Sequence, residues 1–205
     1  MSKKRGRTEK GEKSRHRLME AAAEEFARSG YHATKVSDIV KAAGLTQAAF
    51  YLYFPSKEAI LSELVAEFKQ QLRVFGDSGS NVTALAPSDV PAKMRQNIED
   101  VLTFLLKNRE LVRVALYESP EATVIHEEIT GLIRENARKN WLAGHIREGL
   151  ALDVVAECIF ATIHASAERW LFNGEKSAKQ LASEIAEVLQ YGMLAHRPKN
   201  DLPKA

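Results

Sequence analysis

Residues 34–58, TKVSDIVKAAGLTQAAFYLYFPSKE, constrain the fold more than any other stretch of this chain. The run reads as two short helices joined by a glycine turn. Thr34 is placed to cap the first helix, because a threonine hydroxyl accepts from a first-turn N–H that has no partner within the helix. Val36, Ile39, Val40 and Ala43 recur at helical spacing and define a buried face. Gly44 follows the last of them, where a left-handed residue ends a helix. Leu45 is expected to be buried in the turn, and Thr46 to cap a second helix running to about Tyr53. Pro55 stops that helix, since the residue before a proline is pushed out of the helical region. Ser56 caps the next. Two short helices across a tight glycine turn make a helix-turn-helix, whose second helix is shaped for a DNA major groove.

The same spacing also fits a helical hairpin inside a bundle, and composition favours the DNA reader. The run Gln47-Ala48-Ala49-Phe50-Tyr51-Leu52-Tyr53-Phe54 begins with small residues and continues with polar-tipped aromatics. Small residues let a helix backbone approach base edges. Gln47 can pair bidentately with adenine, and Ala48 or Ala49 can touch a thymine methyl. Tyr51 and Tyr53 can donate hydroxyls to phosphates. Thr34, Lys35 and Thr46, at the two helix starts, join the candidate contact set, as does Lys57. That lysine sits in the first turn of the following helix, against the positive end of its dipole. The placement makes sense if it faces a phosphate.

Charge is distributed to match. The whole chain carries a formal +2, but residues 1–60 hold 12 Lys and Arg against 7 Asp and Glu. The remainder holds 17 against 20. A basic end that meets an anion and an acidic body that does not is the simplest reading. Residues 1–11 lack periodicity and are expected to be disordered without a partner. Lys3, Lys4, Arg5 and Arg7 there could form an arm on DNA or a solvated tail.

The run from Leu18 through Leu64 resembles the N-terminal DNA-binding domain of the tetracycline-repressor (TetR) family of bacterial transcription regulators. The residues that carry the resemblance are Ala21-Ala22, Phe26, Gly30-Tyr31, Thr34, Val36, Ile39, Ala42-Ala43-Gly44, Phe50-Tyr51, Tyr53-Phe54, Lys57-Glu58 and Leu61. Family members often start the recognition helix with a lysine or arginine followed by glycine. Thr46-Gln47-Ala48 stands there in this chain, a difference that bears on the operator sequence.

The fold class expected is all-α: a three-helix helix-turn-helix domain followed by a helical bundle for ligand binding and dimerisation. The reader domain spans 12–55, with Leu18, Ala22 and Phe26 as the stripe of its first helix. Phe26, Ile39, Phe50 and Phe54 form its core. A connecting helix covers 56–75, a loop opens the body, and the body extends over 76–197 before a flexible tail at 198–205. Helices in the body are expected at about 91–107, 109–118, 121–148, 153–173 and 177–195. Pro120 separates the second and third, Gly149 and Gly174 act as stops, and Asp153 and Ser177 as caps.

The last two helices carry wide apolar faces that need cover on more than one side. Ile159, Ile163 and Trp170 mark one; Leu181, Ile185, Val188, Leu189 and Gly192 mark the other. In the family that the chain resembles, the final two helices pair with their symmetry mates, so these residues are the expected interface of a homodimer. A two-fold dimer also presents two recognition helices to a palindromic duplex operator. The resemblance further implies a small-molecule effector bound in the body. Phe104, Tyr117, Trp141, His145, Phe160 and His164 are its candidate contacts, since aromatic groups with a few polar tips suit a ligand pocket. Plain core packing fits the same aromatics. The apolar bias points to a lipophilic effector, such as an acyl chain or an aromatic drug.

No P-loop, G-x-G-x-x-G or G-x-S-x-G occurs, and His126, His145 and His164 lack metal-ligand spacing. No catalytic site, cofactor or metal is expected. There is no apolar run long enough for a membrane span. The single cysteine, Cys158, excludes an intrachain disulfide and fits a reducing cytoplasm. It is expected to be a small buried residue. The reading is therefore a dimeric DNA-binding repressor released by a ligand. Its alternatives are the same fold without an effector, and a helical enzyme or scaffold; a pocket in the body separates the first two.

Overall fold

The computed structural model describes the backbone of residues 2–78 and 82–192, and side chains within 9–74 and 82–192. Among the described residues every regular element is helical. Nine α-helices follow one another: α1 (Ser2–Ser29), α2 (Val36–Ala42), α3 (Gln47–Tyr51), α4 (Lys57–Ser78), α5 (Val90–Lys107), α6 (Arg109–Arg113), α7 (Ala122–Leu142), α8 (Leu152–Ser166) and α9 (Ala178–Tyr191). Two π-helical turns, Val114–Glu118 and Ala167–Leu171, continue α6 and α8. No described helix is long and apolar enough to cross a membrane.

The first three helices form the expected domain. Phe26, Ile39, Phe50 and Phe54 have no exposed surface, and Leu18 and Ala22 close the same core. Each fully buried phenylalanine contributes roughly 1.5–3 kcal/mol by leaving water. Leu45 packs half-buried against this cluster. The Thr46 hydroxyl accepts from the Ala49 N–H at 3.2 Å and caps α3. Gly44 has φ +63, and a Cβ there would meet an Arg17 guanidinium nitrogen at 2.9 Å. That same nitrogen donates to the Ala43 carbonyl. Gly44→Ala combines a left-handed alanine with displacement of Arg17, so thermal unfolding should show a loss of about 1 kcal/mol or more.

Several boundaries differ from expectation. Helix α1 begins at Ser2 rather than at residue 12, because Lys, Arg and Glu are good helix formers and no proline interrupts them. The side chains of Arg5 and Arg7 lie outside the described residues, as does the tail at 198–205. Thr34 does not cap α2. Lys35 is the N-cap residue, and its N–H donates to the Asp38 carboxylate at 2.9 Å. Asp153 lies within the first turn of α8 and accepts from Arg134 at 2.7 Å. Helix α7 stops at Leu142 rather than near residue 148. Gly144, at φ +78, sends its N–H to the Trp141 carbonyl, and His145 sends its own to Asn140. This is the pair of bonds that closes a helix through a left-handed glycine. It turns the chain one residue before His145.

In the body, α5 packs along α9 and α7 along α8. Leu181, Ala182, Ile185 and Ala186 of α9 are buried in this packing. Ser177 caps α9 through the Gln180 N–H, and Gln180 returns its side-chain oxygen to the Ser177 N–H.

Candidate nucleic-acid interface and ligand cavity

Helix α3 has a buried side and an open side. Phe50 anchors it, with Phe54 just beyond. Thr46, Gln47 and Ala48 are exposed and Ala49 is half-buried. Tyr51 is 57% exposed, while Tyr53 is half-buried. Burial of Gln47 and Tyr51 would have removed any DNA-reading role; both stand in solvent. Lys35 is exposed at the start of α2, and Lys41 is exposed in its last turn. Leu52, which sequence reasoning passed over, is 80% exposed at the end of α3. Its position two residues from each buried phenylalanine puts it on the opposite side of the helix.

Two candidate contacts face inward instead. Thr34 is 3% exposed. Its hydroxyl donates toward the carbonyls of Gly30 (2.8 Å) and Glu25 (3.1 Å), pinning the end of α1. Lys57 is half-buried, and its ammonium donates to the carbonyls of Tyr31 (2.7 Å), Thr34 (3.0 Å) and His32 (3.5 Å). It also lies 4.4 Å from the Tyr31 ring centroid. The loop between α1 and α2 has carbonyls that no helix satisfies, and a lysine at the start of α4 satisfies them. Glu58 beside it accepts from the Tyr31 hydroxyl at 2.9 Å. Its own backbone N–H, then the Ser56 and Tyr31 hydroxyls, hold the Glu58 carboxyl below the usual carboxylate range. Burial, then Glu58, pushes the Tyr31 hydroxyl up to about 12.

A cavity of about 370 Å³ lies in the body, inside the size range of ligand sites. Its wall is mostly aliphatic, drawn from α4, α5, α7, α8 and the end of α9, with Leu116 from the first π turn. Of the six candidate ligand residues, His145, Phe160 and His164 line it. Phe104 is buried and stacks on Phe68 with centroids 6.2 Å apart. Trp141 is on the surface. Tyr117 is exposed as well, but its hydroxyl lies 2.9 Å from Nε2 of His164. Burial holds His164 below the ordinary imidazole range, so the ring is neutral at pH 7. The cavity also takes in Asn97, Asn136 and Asn140. Each sits on an apolar helical stripe, Asn97 between Met94 and Val101, Asn136 and Asn140 after Ile129 and Ile133. A polar residue interrupting such a stripe is a readable signal.

The expected dimer residues divide. Leu181 and Ile185 are buried within the subunit, and Ile159, Ile163 and Leu189 line the cavity. Trp170 is half-buried with Lys176 over its ring; Val188 and Gly192 are exposed. The apolar surface left open on α8 is a different stripe: Val154, Cys158, Ala161 and Ala165. Cys158 is thus exposed rather than buried. The apolar face of α8 that turns inward is covered by α7, which leaves this one outside.

Comparison with known proteins agrees with this architecture. Residues 18–64 match the model of "Bacterial regulatory proteins, tetR family". The chain is 38% identical over 185 residues to the HTH-type transcriptional regulator YdgC of Bacillus subtilis, covering 90% of this chain and 95% of that one. It is 28% identical over 187 residues to the fatty acid metabolism regulator protein of Bacillus subtilis, covering 86% and 93%. Among solved structures it resembles the transcriptional regulator FadR from Bacillus subtilis in complex with stearoyl-CoA, at a TM-score of 0.67 and 25% identity, covering 87% of this chain and 99% of that one. The matched model, the 38% identical relative and the similar fold agree, and the chain belongs to the tetR family of bacterial regulatory proteins, DNA-binding regulators of transcription.

Proposed function

We propose that this regulator is a homodimeric, cytoplasmic repressor that holds a palindromic operator with α3 and lets go when a lipophilic ligand fills the body cavity. The open side of α3 carries the reading: Thr46, Gln47, Ala48 and Tyr51 are exposed while Phe50 fixes the helix beneath them. In this reading Gln47 meets a base edge and Ala48 and Ala49 a thymine methyl. Tyr51, Tyr53, Lys35 and the basic segment with Arg5 and Arg7 contact phosphate and position the head. The second copy docks on the open stripe of α8, Val154 to Ala165, together with Val188 and Tyr191 of α9. A relative named for fatty acid metabolism, and a similar fold carrying stearoyl-CoA, support an acyl chain as the effector. The aliphatic wall of the cavity favours this over a repressor without an effector.

A short path runs from cavity to head. Leu116 lines the cavity, and two residues later Glu118 accepts from the Tyr31 N–H at 3.0 Å. Tyr31 is in turn held by Lys57 and Glu58 at the start of α4. On α4, Lys69 pairs with Glu121 and Glu128 at 3.3 and 3.2 Å. A ligand that displaces Leu116 acts on the contact that sets the tilt of the head. It releases DNA only to the extent that it binds the released arrangement better.

Selection of bound duplexes from a random pool tests the reading. Two inverted half-sites about one helical turn apart are expected; an asymmetric or unspecific pool overturns it. On the selected site, Gln47→Ala should relax preference at one base pair of each half-site by roughly 1–3 kcal/mol. An equal loss on every sequence would assign Gln47 to the backbone instead.

A further inference from the structure

The cavity wall is not uniformly apolar. Among the atoms buried without a hydrogen-bond partner are Asn97 Oδ1, Asn140 Oδ1 and His145 Nε2, and all three residues line the cavity. A buried carbonyl oxygen left without a donor costs about 1–3 kcal/mol. The three residues stand on α5, at the end of α7 and in the turn that follows it, and they are a polar interruption of a mostly aliphatic wall.

The partner each atom needs is defined. Asn140 already spends an amide N–H on the Asn136 carbonyl at 2.9 Å, so its oxygen is the free group, and it accepts. Asn97 offers a second accepting oxygen. His145 Nε2 gives or takes a proton according to its tautomer. Two acceptors call for an O–H or N–H donor on the ligand. Charge narrows the choice further. Among the described residues no lysine or arginine lines the cavity, while the exposed Asp100 carboxylate stands among its lining residues. Gln96 is that carboxylate's partner, at 2.9 Å. Among the described lining residues no permanent cation faces an anion, and burying one unpaired is costly.

Resting on the reading of this cavity as the effector site, we infer that the effector carries an uncharged hydrogen-bond donor, a hydroxyl in the first instance, seated between Asn97, Asn140 and His145 with its aliphatic body along the rest of the wall. The sequence contributes directly. The left-handed Gly144 turns the chain just before His145, and Asn97 and Asn140 each interrupt an apolar stripe.

Calorimetric titration of the full-length protein with 1-decanol, decyl methyl ether and decanoate tests this. The ether keeps the oxygen but has no proton to donate, and decanoate adds charge. The alcohol should bind about tenfold or more tightly than the ether, with decanoate weaker than the alcohol. Asn97→Leu and Asn140→Leu should each bring alcohol and ether within about threefold, and thermal unfolding of the free variants checks that they fold. Should Asn140→Leu disturb the end of α7, Asn97→Leu within α5 carries the test alone. Equal binding of alcohol and ether overturns the donor subsite and means that water satisfies these atoms. Tighter binding of decanoate, or no binding of any probe, overturns it too. DNA affinity is measured in the same titrations. A hydroxyl preference with no change in operator affinity supports the subsite and overturns release by ligand; release by alcohol and ether alike does the reverse.

Discussion

Lys57→Met lowers the stability of the DNA-reading head by about 2 kcal/mol and weakens operator binding at every salt concentration without changing the salt slope. Methionine keeps most of the aliphatic stem but removes the three donors. The carbonyls of Tyr31 and Thr34 lose a charged partner, and no other described side chain donates to them. Hydrogen bonds to a charged group are worth more than neutral ones, and two of these lie in part-buried surroundings, so a few kcal/mol is the scale. The helix-turn-helix hangs from this turn. Its loosening shows first as a lower midpoint in urea and then as a smaller fraction of heads competent to bind. A phosphate contact would behave otherwise. Losing one releases one fewer counterion and flattens the log–log slope by about one unit while leaving stability alone. Urea unfolding and a salt series on the same preparation separate the two, and a flattened slope with unchanged stability would return Lys57 to the DNA.

The contrast between these two roles for Lys57 shows what could be read from sequence. The core of the head was legible because Phe26, Ile39, Phe50 and Phe54 fall at helical spacing and are too large and apolar to leave outside. The caps at Thr46 and Ser177 were legible because the bond they make is local. Thr34 was not, since its hydroxyl donates rather than accepts. Nothing nearby says that the carbonyls of Glu25 and Gly30 lie within reach. The two π turns have no local signature; each inserts one residue into a turn and rotates the side chains that follow. The helical runs expected over 109–118 and 153–173 are present, at 109–118 and 152–171, but the π turn that ends each of them was not foreseen. Gly144 and Gly149 both have positive φ, and only the path of the following residues decides which ends α7. The site was half-legible for the same reason. Exposure on α3 follows from local amphipathicity, whereas the cavity depends on where five helices meet. His145, Phe160 and His164 were found by residue type, while Asn97 and Asn140 were passed over although each interrupts an apolar stripe in the sequence.

Ile185→Asp and Val188→Glu, three residues apart on α9, should fail in different ways. Ile185 is 4% exposed inside the subunit, against α5 and the remaining core. A carboxylate there has no described cation to pair with and gives up an isoleucine's packing as well. The combined penalty is several kcal/mol, enough to unfold a domain whose total stability is about 5–15 kcal/mol. Far-UV circular dichroism should lose helix, and sedimentation should show aggregate rather than monomer. Val188 is 47% exposed and lies on the outer side of α9 with Tyr191. A glutamate there costs the free subunit little. In the proposed dimer it faces its own copy across the two-fold axis, where like charges repel by a few kcal/mol. Sedimentation should then give folded monomers with full helix content. Ala161→Glu on the open stripe of α8 should do the same, because a small residue at a helix–helix contact leaves no room for a longer one. Folded dimers in both outer variants would move the interface off these helices. Folded monomers from Ile185→Asp would mean that the α9 face against α5 is not core at all.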